Sequence, residues 1–190
     1  MDTLNVPGQF DVVLRQRCKI DRSLKSTMLN NDEMRSNTQL GTERVSVILR
    51  RCAGGIVGGW LARAKQSSEL NVVPLNDEQR AVHVPRLVED MALRLSKSSD
   101  AMKDSDAIIF SAAAVAHGKL RYLQGYTPAM LLDESRILEV TVFGMLHSNL
   151  NSLDFSFLLP DVTAIADEVD GQMTQSIDGY MELVKPRADA

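Results

Sequence analysis

The sequence predicts an all-α protein, a multi-helix bundle, of which the globin-like arrangement is one form. Apolar residues recur at three- and four-residue steps along most of the chain after residue 42. Helix boundary signals separate these segments, the clearest being Gly125 followed by Thr127-Pro128. Alternation of strand length is not visible, and the Asp170-Gly171 and Asp178-Gly179 pairs fall within a helical pattern rather than between strands.

The first firm helix is expected to begin at Thr42, as its N-cap, and to end near Gln66. Its apolar positions are Val45, Ile48, Leu49, Cys52, Ile56, Val57, Trp60 and Leu61. Asp77 is the expected cap of the next helical stretch. Pro85 marks either the first turn of the main helix there or a break after a short one.

Three boundaries organise the second half of the chain. A helix is predicted from Ser105 to Leu123, with Gly125 supplying a left-handed C-cap. Thr127 caps the following helix, with Pro128 in its first position. A break at Pro160 is expected to precede a last helix that is capped by Asp161 and runs to about Val184.

The sequence predicts one domain preceded by an N-terminal arm. Its 190 residues, 44% hydrophobic and 24% charged, are typical of a globular protein. Residues 1–41 are polar and predict a flexible or weakly helical N-terminal arm. Residues 42–185 form the helical domain, and residues 186–190 are a tail or linker to an output module outside this chain.

Net charge and cysteine content limit the kinds of protein that this chain can be. A net charge of -4 with scattered basic residues argues against nucleic-acid binding. Two cysteines give neither a disulfide framework nor a metal-ligand spacing, so the expected compartment is the cytoplasm. The first twenty residues lack a signal-peptide pattern, and the most apolar run, 53–62, is shorter than a membrane span needs.

Polar side chains converge on one helix corner. At about 100° per residue, His117 and Arg121 lie about 40° apart on a helix, and Gln124 lies about 20° from His117. Glu134 follows on the next helix. One interpretation is a ligand-binding or signal-coupling site that also includes Tyr126. The other is a structural network, in which Arg121 pairs with Glu134 and His117 is a satisfied core histidine.

Glycines and a tryptophan mark the first helix. The pairs Gly54-Gly55 and Gly58-Gly59 cost about 1 kcal/mol per residue relative to alanine, which indicates close approach of another helix, inside the domain or across a dimer. A ligand resting on bare backbone is the alternative. Trp60 is interpreted as a core anchor, or else as the wall of a pocket.

Catalytic and metal-binding patterns are missing from the sequence. The histidines at 83, 117 and 147 are too dispersed to predict a metal site, and no nucleophile motif occurs. We therefore expect no catalysis, no metal and no cofactor, with haem on one axial histidine kept as a lesser alternative.

The corner carries a family resemblance. The chain resembles the RsbRD-like N-terminal sensor domain found in stressosome-type co-antagonists and bacterial sensor histidine kinases. The matching residues are His117-Gly118-x-x-Arg121-x-x-x-Gly125-Tyr126 and Leu131-Leu132-x-Glu134-x-x-x-Leu138, with upstream support from Trp60 and His83-Val84-Pro85-Arg86-Leu87. Ile137-Leu138-Glu139 departs from the Leu-Arg pair expected there, so a second basic group is missing.

The resemblance implies a non-catalytic, cytoplasmic input domain. Such a domain would form a homodimer, respond to an unidentified small ligand or protein partner, and pass the signal to an output kinase or regulatory domain. Two alternatives stay open. One is a histidine phosphotransfer domain with His117 as the phospho-acceptor, although Gly118 follows that histidine directly. The other is a haem-binding, globin-like sensor.

Overall fold

The computed structural model describes residues 42–98 and 110–184. The predicted N-terminal arm (1–41) and the tail (186–190) lie outside these residues, as do residues 99–109. Six helices make up the described chain: α1 (Val45–Ala64), α2 (Asp77–Ala81), α3 (Val84–Ser98), α4 (Ala112–Leu123), α5 (Pro128–Ser148) and α6 (Leu158–Val184).

The architecture is an all-α, multi-helix bundle, as predicted. Short 3-10 turns lie at Leu70–Val72, Leu150–Ser152 and Phe155–Phe157. Extended pairing within the described ranges is limited to one isolated bridge, between Glu43 and Leu153. The globin-like form of the bundle stays a prediction.

Three predicted helix starts are wrong. The N-cap of α1 is Arg44 rather than Thr42, and no side chain caps it. The cap of α2 is Asn76 rather than Asp77, because Asn76 and Gln79 form a reciprocal capping box. Pro160 does not break the chain: α6 begins at Leu158, so Pro160 and Asp161 lie in its first turn, where a proline leaves no hydrogen bond unmade.

The boundary predictions for Pro85, Gly125 and Thr127 are confirmed. Pro85 lies in the first turn of α3, which confirms one of its two interpretations. Gly125 has φ +83°, and the Thr127 hydroxyl accepts from the Met130 amide at the start of α5. One further start is wrong: the helix predicted from Ser105 begins at Ala112, because the Ser111 side chain caps it, and residues 105–109 lie outside the described ranges.

α1 is the central helix of the bundle. It packs against α3 and α5, while α4 packs mainly against α6. Its buried residues are Val45, Ser46, Ile48, Leu49, Cys52, Ile56, Trp60 and Ala64. This helix supplies one wall of the core, and Trp60 reaches from it toward the corner between α4 and α5.

By length and composition, α1 is apolar enough to cross a membrane, and it is the one such helix among the described residues. It extends beyond the apolar run at 53–62, which by itself is shorter than a membrane span needs. A helix at the core of a bundle passes the same test, and 39% of the most apolar window of α1 is buried. The observation is weak, and the expectation of no membrane span stays a prediction.

α4 and α6 approach each other backbone to backbone. A Cβ atom added at Gly118 would lie 1.7 Å from the Ser176 carbonyl oxygen, and one at Gly179 would lie 2.3 Å from the Val115 carbonyl oxygen. Both glycines are therefore required by the crossing of these two helices. Because Gly118 follows His117 directly, the crossing also sets the position of the imidazole.

Candidate functional site: a buried polar corner

A bidentate ion pair forms the centre of the site. Arg121 on α4 donates from Nε to Glu134 Oε2 at 2.9 Å and from Nη2 to Glu134 Oε1 at 2.8 Å. Arg121 is 0% exposed and Glu134 is 2% exposed. The sequence interpretation that Arg121 pairs with Glu134 across the corner is thus confirmed. In this low-dielectric setting the two charges depend on each other, because either one alone would be buried without compensation.

Every donor group of Arg121 has an acceptor. Nη1 donates to Gln124 Oε1 at 2.6 Å and lies 3.4 Å from the Gln79 carbonyl oxygen. Nη2 donates to the Arg80 carbonyl oxygen at 2.6 Å. The guanidinium therefore has no donor left for an outside anion, and direct ligand binding by Arg121 requires one of these bonds to break.

Two histidines stack beside the ion pair. The rings of His83 and His117 lie 3.7 Å apart between centroids, with 19° between their planes. His117 Nε2 lies 3.3 Å from Glu134 Oε2, and His83 Nδ1 lies 3.3 Å from Arg121 Nη2. Trp60 meets His83 edge-on at 5.5 Å and donates from Nε1 to the Glu134 carbonyl oxygen at 3.1 Å.

A second buried arginine extends the site. Arg80 on α2 donates to the carbonyl oxygens of Leu70 and Val73 and to the Tyr126 hydroxyl, each at 3.1 Å. The Tyr126 ring lies 4.6 Å from the guanidinium carbon of Arg121, within the range of a cation–π contact. We call the set Arg80, His83, His117, Arg121 and Glu134 the polar corner.

Burial sets the protonation of the polar corner. It lowers the pKa of His83 well below the usual value and lowers that of His117, although the Glu134 carboxylate partly opposes the second shift. Burial, then the Glu134 charge, raises the pKa of Tyr126 to about 12. With neutral histidines, two guanidinium groups face one carboxylate, so the polar corner carries one net positive charge.

The expectation that the histidines are dispersed is wrong for two of them. His83, His117 and Glu134 offer ligand atoms within 4.8 Å of one another, the spacing of a possible metal site. Two features oppose a metal there. The nearly parallel rings direct their lone pairs side by side rather than toward one point, and Arg121 already engages both Glu134 oxygens. The absence of a metal therefore stays a prediction, now supported by charge and geometry.

All six residues predicted from the sequence meet at this place: Trp60, His117, Arg121, Gln124, Tyr126 and Glu134. Sequence reasoning missed Arg80 and the contribution of His83 to the site. The three-residue spacing of Arg80 and His83 is a weak signal, because it fits one helix face, whereas His83 lies in the turn between α2 and α3. Spacing alone could not tell that this face turns inward.

A comparison with protein-family models finds no match for the chain, and comparisons with curated proteins and with solved structures find none either.

Proposed function

We propose that this chain is a non-catalytic, cytoplasmic sensor or regulatory input domain of a bacterial signal-transduction protein, acting through its polar corner. The observation that carries the proposal is the fully buried Arg121–Glu134 pair, which joins α4 to α5 and reaches the backbone of α2. A network of this kind holds one helix arrangement strongly and loses its bonds together when the helices shift. The resemblance to RsbRD-like sensor domains supports the same reading.

The polar corner has a route to the last helix. Gly118 lies against the backbone of Ser176 on α6, and the Tyr180 hydroxyl donates to the Tyr126 carbonyl oxygen at 2.8 Å. A change in the arrangement of the polar corner would therefore displace α6 directly. In the proposed function, α6 carries the change toward an output kinase or regulatory domain.

The two alternatives have less support. Phosphotransfer needs an accessible imidazole, but His117 is 4% exposed and its Nε2 faces Glu134. Haem does not fit beside His117, because the adjoining cavity has room for about one water molecule. Incubation with a phosphorylated receiver domain tests the first directly, and acid-labile phosphate on His117 would favour that alternative.

The proposal includes a homodimer and an unidentified small ligand or protein as the signal. Because the donors of Arg121 are saturated, such a signal would act on the arrangement of the helices rather than by direct contact with that guanidinium. Sedimentation over a wide concentration range tests the dimer, and a strictly monomeric chain would remove it from the proposal.

Native-state hydrogen exchange tests the coupling. Arg121→Lys keeps the charge but loses the bidentate geometry. Hydrogen bonds to charged groups contribute about 1.5–3 kcal/mol, so amides that open with the polar corner should exchange roughly 10- to 100-fold faster. We expect this acceleration in α4 and in the second half of α6.

The matched control is Lys119→Ala. Lys119 and Glu182 form an exposed ion pair at 2.7 Å between the same two helices, so its loss should leave the exchange rates of α6 almost unchanged. If Arg121→Lys accelerates exchange in α4 and α5 but leaves α6 at the wild-type rate, the polar corner is a local structural element and the proposed coupling fails.

A further inference from the structure

Two buried acceptors belong to side chains that line one small cavity in the core of the bundle. His117 Nδ1 and Gln172 Oε1 have no hydrogen-bond partner among the described protein atoms, and both residues are 4% exposed. Both line a cavity of about 10 Å³, whose walls include Trp60, Leu138 and Val169. Leaving a buried polar atom without a partner is energetically costly, so this pair of atoms calls for a ligand.

The protonation pattern defines what that ligand must be. A neutral imidazole carries one N–H group, and the carboxylate 3.3 Å from His117 Nε2 keeps the proton on that nitrogen. Nδ1 therefore presents a lone pair. The Gln172 amide donates from Nε2 to the Leu87 carbonyl oxygen and to Glu168 Oε1, which leaves its Oε1 pointing the other way as an acceptor. Two acceptors require a molecule with two donors.

We propose that this cavity binds one water molecule, which donates one hydrogen bond to His117 Nδ1 and the other to Gln172 Oε1. The volume admits one molecule of this size, and Ser135 adds a hydroxyl to the lining, which brings the polar partners into the range found for buried water. A cation is disfavoured because the adjoining polar corner already carries net positive charge.

The water completes a polar path across the bundle. On one side, His117 leads through Glu134 to Arg121. On the other, Gln172 donates to Glu168, whose Oε2 accepts from Arg94 on α3 at 2.9 Å. Without the water, the path is interrupted at the two acceptors. With it, the protonation of His117 is linked to α6, because an imidazolium Nδ1–H would reject the water's donor. This inference rests on geometry and holds whether or not the chain is a sensor.

Histidine ¹⁵N spectroscopy and crystallography of the whole chain test the site, with water itself as the probe. We expect His117 in the Nε2–H form, with Nδ1 shifted as a hydrogen-bonded acceptor, and ordered density for one water between Nδ1 and Gln172 Oε1. An empty cavity, an Nδ1–H tautomer, or anomalous scattering from a metal at this position would each overturn the proposal.

Val169→Ile provides the displacement test. Val169 lines the cavity, so an added methyl group should occupy the space of the water. The Nδ1 resonance should then move toward that of a free acceptor, and the water density should be lost. Val162→Ile, the same change two turns earlier on α6 and outside the cavity lining, should alter neither. An unchanged Nδ1 resonance in folded Val169→Ile would contradict the site. Should that variant fail to fold, the wild-type spectrum and density decide alone.

Discussion

Two pairs of glycines in this molecule have opposite surroundings. Gly118 and Gly179 lie where α4 and α6 touch, and a Cβ atom at either position would collide with backbone. Gly54 and Gly58 lie on α1, with nothing within 4 Å of the added Cβ among the described residues. The glycine spacing predicts close approach of another helix at α1, and inside the described part of the domain that prediction is wrong for these two residues. The dimer version of it stays a prediction.

The difference shows that glycine spacing does not by itself identify a helix contact. The i, i+4 spacing on α1 is the more regular pattern, yet the tight crossing is made by two glycines from helices far apart in sequence. A glycine is required only where another backbone occupies the place of its Cβ. That depends on how the helices cross, and their crossing brings His117 against α6.

The largest effect is expected at the Arg121–Glu134 ion pair, which lies next to both regions. Trp60 of α1 donates to the Glu134 carbonyl oxygen, and Gly118 of α4 directly follows His117. Glu134→Gln keeps the shape but leaves the Arg121 charge buried without compensation, which should cost about 3–5 kcal/mol of unfolding free energy in urea. Asp133→Asn, at the neighbouring position, removes a half-buried carboxylate that lies 3.9 Å from the exposed Arg136, and it should change the unfolding free energy by less than about 0.5 kcal/mol. Equal losses of unfolding free energy in the two variants would mean that the Arg121–Glu134 pair stabilises the fold no more than the Asp133–Arg136 pair does.

Gly118→Ala tests the packed pair of glycines. The new methyl group would lie 1.7 Å from the Ser176 carbonyl oxygen, so α4 and α6 must separate, and the expected loss is about 3 kcal/mol by urea unfolding. Gly144→Ala on α5 is the control, because nothing lies within 4 Å of its added Cβ. An unchanged unfolding free energy in Gly118→Ala would show that α4 and α6 can separate at little cost, and it would weaken the proposed coupling to α6.

Acid should act on the two buried histidines of the polar corner, His83 and His117. The pKa values of His83 and His117 are lowered in the folded state, so the unfolded chain takes up protons first as the pH falls below about 6.5. Stability is then full above that pH and falls by about 1.4 kcal/mol per pH unit for each histidine until the folded-state pKa is reached. Urea unfolding from pH 7.5 to 5 measures the slope.

A substitution control accompanies that titration. His147 is exposed at the end of α5, so His147→Gln tests whether any histidine change alters the profile. Gly58→Ala should shift the whole curve without changing its shape. A flat wild-type profile between pH 6.5 and 5 would contradict the neutral, buried state assigned to the two rings.

The smallest effect is expected at the open glycines. Gly54→Ala and Gly58→Ala add a methyl group to free space on a helix, so each should stabilise the chain by up to about 1 kcal/mol. Thermal or urea unfolding of each single variant checks this. Destabilisation, or weaker self-association in sedimentation, would indicate instead that the glycine face packs against a second copy, which would support the dimer version of the prediction.

What the sequence determined by itself is local. Helical periodicity predicted the bundle, and Gly125, Thr127 and Pro128 predicted the corner, because backbone preferences and caps act over a few residues. The same corner brought Arg121 and Glu134 within reach, since a short connection leaves little choice of geometry. The cap predicted at Asp77 was wrong, because the neighbouring Asn76 forms the capping box with Gln79, and one residue's difference lies below what local preferences resolve.

The tertiary structure alone decided the rest. His83 stacks on His117, and Gln172 faces the same cavity, through helix crossings that no sequence spacing encodes. Whether a histidine is neutral, an arginine saturated or a glycine indispensable depends on which atoms surround it and how much water they exclude. Those neighbours come from distant parts of the chain, so they become defined only when the helices pack.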